Sequence, residues 1–261
     1  MLHTLVNEYR LTVNGVTFWT PYWINHSHPP YFLGAPLLGK GTPDQVLEVT
    51  KRIVSESPNP PSSPEAIRKL MNERGIGVDC SAFVYNVMDR WLEWRGLGSL
   101  SDYLVIPRDG VVFEWAGHPE NSLGRTEDQV PEFTPLNELL PLWHRPAIRV
   151  VGVKHLCSPE TAVRVSRLDE MRPGDMIRLT GATGDHMGVI VEVLTDRLIW
   201  AQSGRAFNAD GSYDLRGVEY EDIMWVNPEA DLDQQAWSHD KSYQPKNGLD
   251  GVWRLKVLDG A

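Results

Sequence analysis

The sequence predicts an α+β fold in which one long helix packs on an antiparallel sheet. After position 80, apolar residues recur at spacings of one, three and four, which is typical of a single buried helix face. Residues 186–193 and 197–202 read instead as strands, and their short connection makes them an antiparallel hairpin. Because the helix precedes the strands and does not alternate with them, the order favours α+β over α/β.

The N-terminal part of the chain carries local signals for one hairpin and several helices. An Asn-Gly pair between runs of β-branched and aromatic residues is a preferred two-residue turn. A loop rich in proline and serine ends the first predicted helix, and glycines end the two later helices. The elements predicted here are a hairpin over 11–19 with its turn at Asn14-Gly15, and helices over 43–56, 64–72 and 80–95.

The rest of the chain is predicted to complete the sheet around a long insertion. Residues 99–145 show no clear period apart from one helical stretch near 136–143, and they read as an insertion or a lid. We expect one domain over 1–261, with insertions at about 36–74 and 99–148. The strands predicted in this half cover 149–153, 176–179, 186–193, 197–202 and 251–257.

The composition restricts the partners and the location of the protein. The formal net charge is -10, and an acidic chain without a basic run is a poor candidate for binding nucleic acid or an anionic membrane. No apolar stretch approaches the roughly 20 residues that cross a bilayer. The N-terminus lacks the basic and apolar regions of a signal peptide. We therefore expect a cytoplasmic protein with no nucleic-acid and no membrane partner.

Cys80 is the strongest candidate for chemistry in the chain. The two cysteines are too few for a disulfide framework, and Cys80 opens the long helix, where Asp79 or Ser81 can serve as the N-cap. The positive end of the helix dipole favours a thiolate, which is the nucleophilic form of cysteine. Cys157 follows His155 by two residues, but no second Cys/His pair stands at ligand spacing, so no metal site is predicted.

His186 is the best placed of the eight histidines to act as a base for Cys80. It opens a strand directly after a glycine-containing loop, so its ring can lie at the edge of the sheet. Gly188 shares its face of the strand and leaves space beside the imidazole for a substrate or for the Cys80 helix. On the next strand, Gln202 can accept a hydrogen bond from the other imidazole nitrogen and fix the tautomer. The three residues would form a nucleophile, a base and an orienting group.

These residues fall in blocks that resemble a known family. Asp79-Cys80-Ser81-Ala82-Phe83-Val84 is similar to the Asp-Cys-Ser-Gly-Phe/Leu-Val signature of the NlpC-type cysteine peptidases, with alanine in place of glycine. Arg172-Pro173-Gly174-Asp175-Met176, followed by His186-Met187-Gly188-Val189-Ile190, resembles their Pro-Gly-Asp turn and His-Val-Gly-Ile-Tyr strand. Pro30-Tyr31-Phe32-Leu33-Gly34-Ala35 is similar to their Pro-Tyr-x-x-Gly-Gly. Ile199-Trp200-Ala201-Gln202-Ser203 stands where the family has its third catalytic residue.

The resemblance implies a papain-like fold and a role for each residue of the site. The catalytic set that it implies is Cys80 as nucleophile, His186 as general base and then acid, and Gln202 as the orienting residue. The backbone N–H of Cys80 or Ser81 would help to hold the oxyanion, and the Tyr31 hydroxyl would be a second contributor. Asp79 and Ser81 match positions that help to bind a substrate amine in the family.

We expect a thiol-dependent hydrolase that needs no cofactor and no metal. It would cleave an amide bond in a small peptide or a peptidoglycan-type fragment through an acyl-enzyme on Cys80. One alternative is an acyltransferase with the same Cys–His dyad, which would pass the acyl group to an amine or an alcohol. The other is a catalytically inactive binding domain on the same fold, with tryptophan-rich residues 91–115 and the N-terminal segment as its surface. Asp175 is expected to be a turn and surface residue.

Overall fold

The computed structural model describes residues 1–24, 39–107, 132–136, 151–181, 184–207, 213–227, 229–230, 232–237 and 249–259. Tyr31 and its block, residues 137–143 of the helical stretch predicted near 136–143, and most of the 99–148 insertion lie outside these ranges. The helices are α1 (Leu2–Asn7), α2 (Pro43–Ser55), α3 (Pro64–Glu73), α4 (Cys80–Trp94), α5 (Val153–Leu156) and α6 (Lys256–Asp259). The strands are β1 (Arg10–Val13), β2 (Val16–Trp19), β3 (Val105–Pro107), β4 (Phe133–Pro135), β5 (Ala162–Val165), β6 (Met176–Gly181), β7 (Gly184–Val193), β8 (Arg197–Phe207), β9 (Tyr213–Met224), β10 (Ala236–Trp237) and β11 (Gly251–Leu255).

Seven strands of the described ranges form one sheet, in the order β10-β9-β8-β7-β6-β11-β5. Every neighbouring pair in this sheet is antiparallel. Strands β6 to β10 are neighbours in chain order, whereas the last strand, β11, inserts between β6 and β5. An antiparallel sheet combined with helices confirms the mixed α+β class. Three strands of this sheet, β5, β9 and β10, were not among the predicted elements.

The two faces of this sheet bury different clusters because successive side chains of a strand point to opposite faces. Met187 and Val189 of β7 pack in the cluster that also contains Phe83 of α4, so α4 covers their face. Ile190 of β7 belongs to a second cluster, built around Trp200 of β8. The long helix therefore lies on one face of β7, as the apolar stripe after position 80 requires.

The N-terminal elements follow their local signals closely. Asn14 (φ 50°) and Gly15 (φ 79°) both adopt the left-handed conformation that a two-residue type I′ hairpin turn requires. Helix α2 begins with a capping box between Thr42 and Gln45, and α3 begins with Ser63 as its N-cap. The predicted hairpin and the first two predicted helices are confirmed.

Two of the predicted strands, 149–153 and 251–257, differ from the structure. Residues 149–150 lie outside the described residues, and the remainder of the strand predicted over 149–153 is absent, since Val153 begins α5. The backbone N–H of Gly152 donates to His155 Nδ1 over 3.0 Å, and this local bond favours a helical turn over an extended chain. The last strand ends at Leu255, two residues earlier than predicted, because the chain turns into α6.

Asp175 is a turn residue, but it is not on the surface. Its side chain is only 2 % exposed, and Arg254 of β11 donates to it from Nε over 2.7 Å and from Nη2 over 2.8 Å. The same carboxylate accepts the backbone N–H of Arg172 over 2.8 Å. The turn before β6 is thereby fixed to the last strand. Among the described helices, none is both long enough and apolar enough to cross a membrane.

Candidate active site

Helix α4 begins at Cys80 because Asp79 caps it. Asp79 has an extended backbone (φ -83°, ψ 168°), and its Oδ1 accepts the backbone N–H of Ala82 over 2.7 Å. Of the two predicted caps, Asp79 is therefore the one used. Ser203 Oγ on β8 donates to the carbonyl of Val78 over 2.7 Å, which ties the residues before the helix to the sheet.

The start of α4 lies where β7 and β8 separate. The two strands pair from Val193 and Leu198 as far as Gly188 and Gln202. Beyond that point β7 pairs only with β6, and β8 continues along β9. We call this divergence the fork: Met187-Gly188 on β7 and Gln202-Ser203 on β8. Cys80 lies at the fork, since the backbone of Met187 hydrogen-bonds to its thiol.

His186 and Gln202 meet at the fork, as the sequence predicted. The imidazole Nε2 forms a short hydrogen bond with the Gln202 side-chain carbonyl, and both side chains are buried. The amide nitrogen of Gln202 donates to Glu221 Oε1 over 2.5 Å and to Glu219 Oε1 over 3.4 Å. The predicted contact between His186 and Gln202 is thus present, and a carboxylate on β9 extends it, whereas the orienting role stays a prediction.

The thiol and the imidazole reach the fork from different sides of the sheet. Cys80 contacts the backbone of Met187, which directly follows His186, and the Met187 side chain packs in the same cluster as Cys80. Alternation along β7 directs the His186 side chain to the other face. There the imidazole lies edge-on to Trp200, with ring centroids 6.3 Å apart and planes at 80°.

Gly188 does not provide the open space that was predicted beside the imidazole. A Cβ atom at this position would lie 2.4 Å from Cε3 of Trp200 and 2.6 Å from the carbonyl oxygen of Ala201. The prediction of a substrate-sized gap is wrong, because the Trp200 indole already fills it. The glycine instead permits close packing of β7 on β8.

Cys80 is not the thiolate that the helix start suggested. Burial raises the pKa of its thiol to about 12, and the negative charge of Asp79 raises it further. Lys40 and the backbone hydrogen bonds from Met187 and Ser81 act in the opposite direction. Desolvation outweighs the helix dipole here, since only 7 % of the cysteine is exposed.

Lys40 is a charged residue of this site that the sequence reasoning missed. Its ammonium lies 2.8 Å from Asp79 Oδ2 and donates to Ser81 Oγ over 2.7 Å and to the carbonyl of Val151 over 3.2 Å. Asp79 and Ser81, which the resemblance assigns to a substrate amine, are therefore bonded to an ammonium of the chain itself. No local signal in the sequence brings Lys40 to the helix start; only the tertiary fold does.

Cys157 is buried and, like Cys80, is a free thiol. Within the described ranges, no group of three or more His, Cys, Asp or Glu side chains is arranged to hold a metal ion.

Comparison with known proteins finds no family model, no curated protein and no solved structure that matches this chain. The resemblance stated above therefore rests on the sequence blocks alone.

Proposed function

We propose that the protein is a papain-like, thiol-dependent hydrolase of the NlpC type that cleaves an amide bond in a small peptide or a peptidoglycan-type fragment. One observation carries the proposal: at a single fork, the first residue of α4 is a cysteine hydrogen-bonded to the backbone of Met187, and the preceding residue of β7, His186, bonds to Gln202 on the opposite face of the sheet. A nucleophile at a helix start, with a base that a third group orients, is the arrangement that acyl transfer through cysteine uses.

The proposed reaction proceeds in two steps. His186 takes the proton of the Cys80 thiol as the sulfur attacks the substrate carbonyl carbon, and the resulting imidazolium gives that proton to the leaving amine. The products of this step are the free amine and a thioester on Cys80. In the second step, His186 takes a proton from water, hydroxide attacks the thioester, and the carboxylic acid leaves as the thiol is regenerated.

Because the pKa of Cys80 is raised, the proposed reaction depends strongly on His186 as the base. A thiol whose pKa is about 12 is almost entirely protonated at neutral pH, so proton removal must accompany the attack. Because the imidazole packs against Trp200 on the other face of β7, the proposed reaction requires a rearrangement that brings the His186 ring to the thiol. The N-terminal turn of α4 would stabilise the oxyanion through the backbone N–H of Cys80 or Ser81.

Screening γ-glutamyl and D-amino-acid dipeptides tests the proposal. The wild-type protein and the Cys157→Ala variant should release amine product, whereas Cys80→Ala should release none. The Cys157→Ala variant is the matched control, because it removes the other buried free thiol. Product analysis with added amines or alcohols separates hydrolysis from acyl transfer, since a transferase yields the conjugate of the acceptor.

A catalytically inactive binding domain is the second candidate, and the burial of Cys80 favours it. A 7 % exposed thiol with a raised pKa is typical of a structural cysteine. Treatment with a stoichiometric peptidyl electrophile distinguishes the two functions. Labelling of Cys80 that depends on His186 supports the hydrolase, whereas a Cys80 that stays unmodified in the folded protein supports the binding domain.

A further inference from the structure

We infer that Glu221 is a positioning residue that acts on His186 through Gln202. Its carboxylate holds the Gln202 amide in one orientation, and that orientation decides which imidazole nitrogen carries the proton. The catalytic meaning of this arrangement rests on the proposed function, but the arrangement itself is a property of the folded chain and is measurable without a substrate.

The three side chains lie on one face of three neighbouring strands. Glu221 on β9 is directly opposite Trp200 on β8, so it is the diagonal neighbour of Gln202. The Gln202 amide nitrogen donates to Glu221 Oε1 over 2.5 Å, and the carbonyl of the same amide meets His186 Nε2. Both Gln202 and Glu221 are buried, at 4 % and 6 % exposure, so water does not replace these bonds easily.

The chemistry of the three groups permits one assignment of protons. A carboxylate only accepts hydrogen bonds, so the amide NH₂ of Gln202 must face Glu221. The amide oxygen then faces His186, and an oxygen acceptor requires a proton on Nε2. In a neutral ring the proton is then on Nε2 and not on Nδ1, and this tautomer is the one that can accept a proton at Nδ1. Turning the amide round would place its oxygen against the carboxylate.

Neighbouring charges support this role for Glu221 and provide a control. Arg216 Nη1 lies 4.0 Å from Glu221 Oε1 and 3.6 Å from Glu219 Oε1, so one positive charge faces both carboxylates. Glu219, two residues earlier on the same strand face, contacts the Gln202 amide only at 3.4 Å, and its side chain is 23 % exposed. The same substitution at Glu219 and at Glu221 therefore compares two carboxylates. One is farther from the Gln202 amide and more exposed to solvent, and the other is closer and buried.

The tautomer of His186 is the decisive measurement. In ¹⁵N-histidine-labelled protein, long-range ¹H–¹⁵N spectra report the ratio of Nε2–H to Nδ1–H, and the His186→Ala spectrum assigns the signals. We expect Nε2–H to dominate in the wild type. Glu221→Gln should move the ratio about fivefold toward Nδ1–H, because charge-assisted hydrogen bonds are roughly twice as strong as neutral ones. Glu219→Gln should move it less than about twofold.

An unchanged ratio in Glu221→Gln, or an equal change in Glu219→Gln, would overturn the inference. If Glu221→Gln does not fold, Gln202→Met removes the amide at similar length, and it must shift the ratio at least as far. Alkylation of Cys80 at neutral pH is measured in the same samples. Suppose that the tautomer ratio shifts but that alkylation does not depend on His186. The positioning role of Glu221 is then upheld and the proposed dyad is contradicted. Failure of the inference and failure of the proposed function are therefore distinguishable.

Discussion

Cys80 combines a position that favours ionisation with surroundings that oppose it. It is the first residue of α4, yet burial raises the pKa of its thiol to about 12. Asp79, which makes the helix start by capping it, also places a negative charge beside the sulfur. The residue that caps the helix at Cys80 therefore makes ionisation of the thiol harder, and the proposed attack by its sulfur needs a base.

Alkylation of Cys80 by iodoacetamide should rise steadily with pH. Below the pKa of a thiol, each pH unit increases the thiolate fraction about tenfold, so the rate should climb without a plateau from about pH 7 to about pH 10. Mass spectrometry of the Cys80 peptide over time measures the rate, with Cys80→Ser as the blank. A plateau below about pH 8 would contradict the raised pKa and indicate a resting ion pair.

Lys40 should help Cys80 to ionise. Its ammonium opposes the effect of Asp79 on the thiol, so Lys40→Met should slow Cys80 alkylation about tenfold at fixed pH. Asp79→Asn combined with Lys40→Met should restore the rate toward that of the wild type, because both charges are then gone. Lys154→Met, at an exposed position on α5, is the control and should react as the wild type does. Equal rates for Lys40→Met and the wild type would exclude this role.

At the scale of single elements, the start of α4 depends on one capped and charge-paired residue. Asp79 accepts from the Ala82 backbone and from Ser81 Oγ, and its second oxygen pairs with Lys40. Its side chain is 2 % exposed, whereas that of Lys40 is 16 % exposed. The cap hydrogen bonds of α2 and α3 are exposed to solvent, so we expect the loss of the α4 cap to destabilise the protein more.

Asp79→Ala should lower the free energy of unfolding by about 3–5 kcal/mol, because it removes a helix cap and leaves a mostly buried ammonium without its carboxylate. Ser63→Ala removes an exposed cap of α3 and should cost only about 1 kcal/mol. Urea denaturation followed by circular dichroism compares the two variants. Similar losses for both would show that the Asp79–Lys40 pair contributes little.

Gly188 tests the packing of β7 on β8. Gly188→Ala should destabilise the protein by about 1–3 kcal/mol, because the added methyl group meets the Trp200 ring and a backbone carbonyl. Gly152→Ala is the control, since nothing lies within 4 Å of its Cβ position and its φ of -127° suits any residue. The midpoints of thermal unfolding give the comparison. A Gly188→Ala variant as stable as Gly152→Ala would mean that Trp200 can move aside.

At the scale of the whole molecule, β11 joins the edge strand β5 to the rest of the sheet. β11 lies between β6 and β5, so residues near the C-terminus complete a sheet that began much earlier in the chain. The Asp175–Arg254 pair holds this connection, and Arg254 Nη2 also donates to the carbonyl of Glu170 over 2.6 Å. The conformation of the Pro-Gly-Asp turn is thereby linked to the chain end.

Arg254→Met should destabilise the fold by about 3–5 kcal/mol, because it leaves the Asp175 carboxylate buried and uncompensated. Arg167→Met breaks an exposed pair with Asp169 and should cost no more than about 1 kcal/mol. Denaturant unfolding measures both. Adding Asp175→Asn to Arg254→Met should recover part of the loss, and a double variant less stable than Arg254→Met would contradict the role of the unpaired charge.

The sequence by itself determined those elements whose signals are local. The Asn14-Gly15 turn, the capped helices and the apolar alternation of β7 all follow from residues a few positions apart, and so does the choice of His186 and Gln202 as a pair. Strand β9 was missed because Asp222 interrupts, directly before Ile223, the short alternation of apolar and acidic residues that includes Glu219 and Glu221. Their partner, Gln202, lies on another strand.

Only the tertiary structure decided the electrostatics of the fork. Burial of Cys80, the arrival of Lys40 at Asp79 and the contact of Glu221 with Gln202 each join residues that are distant in sequence. Desolvation and charge pairing depend on what surrounds a group in space, and no spacing rule along the chain reports that. The sequence therefore identified the candidate residues, and the fold determined the burial and the charges that surround them.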